Sequence, residues 1–188
     1  MNFGKKLCAL SALGVALCVA GSAGAQDLDY LGSNRQVMNE ANAQPASIPA
    51  EVQLVELERW FFKNNTFSAR PLNTPGGMKH PGVRQGVLGF ISYTPFAGGH
   101  PLYSCTQNNW LDSFTSRDAN CEGHMPSRDM PITGYIASTQ LPGTVPLYRC
   151  HRGGLKPNNW ADLFDTTDVN CENVKYPLND QILGYIWL

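Results

Sequence analysis

Two short blocks hold the residues most able to do chemistry. Asn108-Asn109-Trp110-Leu111-Asp112 and Asn158-Asn159-Trp160-Ala161-Asp162 each set an indole beside planar amides and a carboxylate. A sugar ring offers an apolar C–H face and a rim of hydroxyls, and such a set meets both. Asn109, Trp110, Asp112, Asn159, Trp160 and Asp162 are therefore candidate ligand-binding residues, and two copies would give avidity. The same residues have a structural reading. Asparagine tolerates left-handed backbone, aspartate caps turns, and tryptophan can cover a core. Both readings stay open at the level of sequence.

The cysteines point to stability. Cys8 and Cys18 lie near the N-terminus, and Cys105, Cys121, Cys150 and Cys171 lie in the C-terminal half. Four cysteines allow three pairings. Cys105 with Cys121 and Cys150 with Cys171 hold equivalent places in a repeat set out below. Two disulfides inside repeats are therefore expected, each worth about 3 kcal/mol. No Cys-x-x-Cys pair suggests redox catalysis. His80, His100, His124 and His151 lack metal-ligand spacing, and no nucleophile elbow, P-loop or zincin motif occurs. No catalytic residue, metal or cofactor is expected, so the chain reads as a non-enzyme, with a hydrolase of unrecognised site as the remaining alternative. Arg59 and Arg149 could meet an anionic ligand, but a surface or strand-edge position is the expectation.

Composition sets the frame that must position these groups. At 188 residues the chain suffices for one domain with a sizeable core. Only 15% of residues are charged, too few for a coiled coil. The net charge of −1 supplies no basic field, so nucleic acid is not an expected partner. Eighteen glycines and thirteen prolines favour turns and short strands over helices. Lys5 and Lys6 precede an apolar run over 7–20, and Ala23-Gly24-Ala25 follows with small residues. Residues 1–25 thus read as a secretory signal peptide. The run is too short to cross a bilayer and no second one follows, so a membrane-spanning chain is not expected. Residues 26–53, rich in Asn, Gln, Ala and Pro, read as a flexible arm.

The remainder, 54–188, repeats. Pro101-Leu102-Tyr103-Ser104-Cys105 returns as Pro146-Leu147-Tyr148-Arg149-Cys150. Asp118-Ala119-Asn120-Cys121-Glu122 returns as Asp168-Val169-Asn170-Cys171-Glu172, and Ile132-Thr133-Gly134-Tyr135-Ile136 as Ile182-Leu183-Gly184-Tyr185-Ile186. A worn third copy lies upstream. Val87-Leu88-Gly89-Phe90-Ile91 matches the endings, and Leu57-Glu58-Arg59-Trp60 puts tryptophan at the cysteine position. Period-two alternation and turn signals make the units all-β. Three units, about 54–96, 97–141 and 142–188, would close on one shared core as a β-trefoil. Tandem lobes with an accessory first segment are the competing layout. Tyr135, Tyr185 and Phe90 are expected in the core, and Gly89, Gly134 and Gly184 at a bulge or close backbone approach.

Tyr148, Arg149, Asp162, Phe164, Thr166, Thr167 and Gly184 complete a pattern of Pro-x-Tyr-Arg, Asp-x-Phe-x-Thr-Thr and Gly-Tyr-x. It resembles a secreted bacterial β-trefoil repeat family. The copy at 100–136 keeps Tyr103, Asp112, Phe114 and Gly134, with Ser104 in place of the arginine. The resemblance implies a lectin-like fold. The functional expectation is a secreted or periplasmic binding module whose partner is a glycan or cell-surface polysaccharide. The alternative is a protein-binding module, either a protease inhibitor acting through the loop 70–84 or a subunit of an envelope complex.

Overall fold

The computed structural model describes residues 48–72, 74, 79–107, 112–153, 161–174 and 181–188. The expected leader, most of the arm, and Asn109, Trp110, Asn159 and Trp160 lie outside them. The described chain is all-β. Its strands are β1 (Leu54–Phe62), β2 (Asn65–Ala69), β3 (Val83–Ser92), β4 (Gly99–Thr106), β5 (Ser113–Ser116), β6 (Met125–Pro126), β7 (Ile132–Ala137), β8 (Thr144–Gly153), β9 (Ala161–Thr166) and β10 (Gln181–Trp187). They join in one ten-stranded antiparallel sheet whose main path runs β2-β1-β3-β10-β7-β4-β5. β8 pairs with β10 and β9, and β6 pairs with β4. Among the described residues there is no α-helix, and none long and apolar enough to cross a membrane.

In chain order the strands fall into three segments, β1–β3, β4–β7 and β8–β10. The first strand of each puts one leucine into the main core, Leu57, Leu102 and Leu147. The last strand of each puts in one isoleucine, Ile91, Ile136 and Ile186. Leu88, Leu183 and Val145 complete that cluster, and every member is at most 2% exposed. Burying such side chains stabilises by roughly 1.5–3 kcal/mol apiece, which makes this the main cohesive element.

Each last strand carries one extra residue. The register slips so that Leu88, Thr133 and Leu183 are skipped, each just before a glycine. A Cβ on Gly89 would lie 2.5 Å from the Trp187 carbonyl oxygen, one on Gly134 2.9 Å from that of Ser92, and one on Gly184 2.8 Å from that of Ala137. Each glycine thus lets another segment's backbone approach, so both expectations for these glycines hold together. The aromatic expectation needs correction. Tyr135, Tyr185 and Phe90 are only half-buried, because they rim a second cluster built on Phe96, Ala137 and Trp187. The arm's end is docked rather than loose: the Tyr93 N–H donates to the Gln53 carbonyl at 2.7 Å, and the Thr94 hydroxyl to that of Glu51 at 2.7 Å.

Candidate functional site

Cys105 bonds to Cys121 and Cys150 to Cys171, as the repeat implies. The reason for the Asp-x-Asn-Cys-Glu spelling is local. Asp118 accepts from the N–H groups of Asn120 at 2.9 Å and Glu122 at 3.0 Å. Asp168 does the same for Asn170 at 2.8 Å and Glu172 at 3.0 Å. These bonds hold Cys121, Glu122, Cys171 and Glu172 at φ between 53° and 57°, a left-handed turn costly for side-chain-bearing residues. The turn sends its cysteine inward to the strand and its glutamate sideways.

The glutamates meet arginines from another segment. Arg149 of segment three pairs with Glu122 of segment two at 2.7 and 3.0 Å, and Arg59 of segment one pairs with Glu172 of segment three. Arg149 also donates to the Thr115 carbonyl at 3.1 Å and lies 5.5 Å over the Phe114 ring. Arg59 donates to the Asp165 carbonyl at 3.3 Å and lies 5.7 Å over Phe164. Both arginines are buried, 2% and 6% exposed, which corrects the surface expectation. Burial would raise the carboxyls of Glu122 and Glu172. Bonds from Arg149 and Ser116, and from Arg59, outweigh it and hold both below the ordinary range. Sequence reasoning missed these cross-braces because it offered no partner for either arginine. The co-repeating glutamates were the available signal.

The two block aspartates are also buried, at 0% and 6% exposure. Asp112 accepts from the Leu163 N–H at 3.0 Å and the Gln107 amide at 3.3 Å. Asp162 accepts from the Thr66 N–H at 2.7 Å, the Thr66 hydroxyl at 2.9 Å and Arg152 at 3.1 Å. Each therefore brackets the start of a strand in another segment. Nearby Asp165 accepts twice from the Thr115 hydroxyl, at 2.7 and 2.8 Å. Burial pushes the Asp112 carboxyl up to about 8, helped by the charge of Asp162, against the Leu163 bond. Burial also raises Asp162 and Asp165. The aspartates therefore tie one segment to the next, and their Asn and Trp neighbours lie outside the described residues.

A cleft of about 240 Å³ opens between segments one and two. Phe62, Phe67, Phe114 and Met130 give it apolar walls, and Asn65, His80 and Ser104 add polar atoms. It lies where the third brace is missing. Strand register puts Ser104 at the place of Arg59 and Arg149, opposite Thr115 where those face Ser68 and Asp165. Segment one has no acid anywhere over 63–82 to stand for Glu122 or Glu172. Trp60 replaces the cysteine, and its ring lies 5.7 Å from that of His80. His80 also meets the Phe67 ring edge-on at 5.6 Å. Burial lowers the His80 pKa, against a bond with the Arg70 backbone and the charge of Glu58, so the imidazole is neutral at pH 7. No cluster of three or more metal-ligating side chains occurs among the described residues. Compared with known proteins, the chain matches no family model, no curated protein and no solved structure.

Proposed function

We propose that this chain is an exported, non-catalytic binding module, lectin-like, that recognises glycans or cell-surface polysaccharide on a β-trefoil of three units. One observation carries the reading. Each Asn-Asn-Trp block ends on a buried aspartate, Asp112 or Asp162, that is tied to a strand of another segment. A rigid anchor next in sequence to amide and indole groups is what a recognition surface requires. Asn109, Trp110, Asn159 and Trp160 supply the contacts in this proposal, and the aspartates hold the blocks in place.

The trefoil layout is supported by cyclic contacts. Gly89 of segment one approaches segment three, Gly184 of segment three approaches segment two, and Gly134 of segment two approaches segment one. Export is supported by the leader-like N-terminus and by two disulfides, which are compatible with an oxidising compartment.

The test is a broad glycan array probed with the purified protein. Binding that disappears in a Trp110→Ala/Trp160→Ala double variant with unchanged circular dichroism is the expected result. An array without any signal, together with a stoichiometric protein co-purifying from the native host, would replace this reading with a protein-binding one.

A further inference from the structure

We infer that the cleft between segments one and two is a binding site for one uncharged sugar ring, filling the space that an arginine and a glutamate fill at the other two junctions. The inference rests on the glycan-binding reading and gives it a second, separate site.

Four observations converge. The cleft lies where a brace is absent: Ser104 is short where Arg59 and Arg149 are long. Its walls include Phe67 and Phe114. Phe67 occupies the register position of Phe114 and Phe164, the two rings that Arg149 and Arg59 cover. An aromatic ring flanked by apolar neighbours accepts the C–H face of a pyranose. Asn65 and His80 line the cleft, and a buried polar atom of each, Asn65 Oδ1 and His80 Nε2, has no hydrogen-bond partner among the described residues. Native proteins rarely leave such atoms unsatisfied, and a sugar hydroxyl, which both donates and accepts, is able to serve either. The lining carries Ser104, Thr106, Ser113 and Ser127 but no ionised side chain, so nothing there compensates a charged guest. At about 240 Å³ the space is below that of a drug-sized site and suits one ring rather than a chain.

The experiment is an NMR titration of the labelled protein, following the His80 imidazole and the Asn65 side-chain amide. The probes are methyl glycosides of glucose, galactose, mannose and N-acetylglucosamine, with glucuronate and arginine methyl ester as charged controls. Saturable shifts at both residues with at least one neutral glycoside, and none with the controls, are expected. Ser104→Arg, which refills the missing position, should weaken that binding at least tenfold. Ser127→Phe fills the same cleft without adding charge and serves if the arginine variant unfolds. Trp110→Ala/Trp160→Ala should leave the titration intact. Binding lost in the tryptophan variant but kept in both cleft-filling variants overturns this inference and leaves the proposed function standing. Shifts at His80 and Asn65 with arginine methyl ester alone also overturn it, in favour of a cationic guest. No saturable response to any glycoside, together with a blank array, removes both.

Discussion

Two of the three segment junctions carry an arginine–glutamate brace, and the third has instead a bond from Arg70 to the Met130 sulphur. Where segment three meets two, and one meets three, a buried arginine crosses to a glutamate displayed by a disulfide-anchored left-handed turn. Where segment one meets two, both partners are absent and a cleft remains. The contrast shows how a repeated chain frees one of its equivalent places. Three equal braces would maximise stability. Omitting one leaves space and unsatisfied polar atoms at one defined spot, while the shared apolar core still holds the segments together.

Arg149→Ala should blur the contrast most. It leaves Glu122, the Phe114 face and the Thr115 carbonyl without their cation, and a loss of about 4 kcal/mol in denaturant unfolding is expected. Arg152→Ala serves as the control. Its side chain is half exposed, at 49%, and Asp162 keeps its bonds from Thr66, so the pair should be worth less than about 1 kcal/mol. An equal loss in both variants would mean that the buried brace has no special weight.

Removing Cys150–Cys171 by a double serine change makes segment three as free of cystine as segment one. About 3 kcal/mol should be lost. If Arg59→Ala in that background costs much less than in the parent, then the disulfide and the brace are coupled through the turn.

Asp112 sharpens the comparison through pH. Its register equivalent in segment one is Asn65, a residue that cannot ionise. With the folded carboxyl near 8 and the unfolded one near its ordinary value, the folded state holds the extra proton between about pH 4 and 8. Stability from this group is therefore full at low pH and falls as pH rises, by up to about 1.4 kcal/mol per unit. Asp112→Asn should gain on the parent by about 3.5 kcal/mol between pH 5 and 8, read by thermal unfolding. A constant difference would show that Asp112 is ionised when folded. Glu122 and Glu172 act in the opposite sense: their depressed values add stability at neutral pH that is lost as pH falls below their ordinary range.

The smallest effect concerns the bulges. Thr133 stands where Leu88 and Leu183 stand, and its buried hydroxyl has no hydrogen-bond partner among the described residues. Thr133→Val should raise stability by about 1 kcal/mol.

The sequence showed the all-β class, both cystines and the special role of Gly89, Gly134 and Gly184, because all of these depend on local spelling and on copies of it. The braces were hidden for a physical reason. An arginine's partner is chosen by which segments touch, and Arg59 meets Glu172 across 113 positions of chain. The cleft was harder still, since it is written as two absences, Ser104 and the lack of an acid over 63–82. Burial of Asp112 and Asp162 was equally invisible, because each bonds across to another segment through a backbone N–H group that any residue could supply.

The left-handed turn at Cys121–Glu122 has a consequence for maturation. One tight bend carries both the sulphur that staples its own segment and the carboxylate that grips the next one. Thiol oxidation in one place is thereby transmitted to a neighbour that contains neither sulphur. A freshly made, reduced chain keeps the Asp118 bonds that shape the bend but lacks the staple beneath it, so exposure to an oxidant sets the moment at which the grip on Arg149 is locked in place.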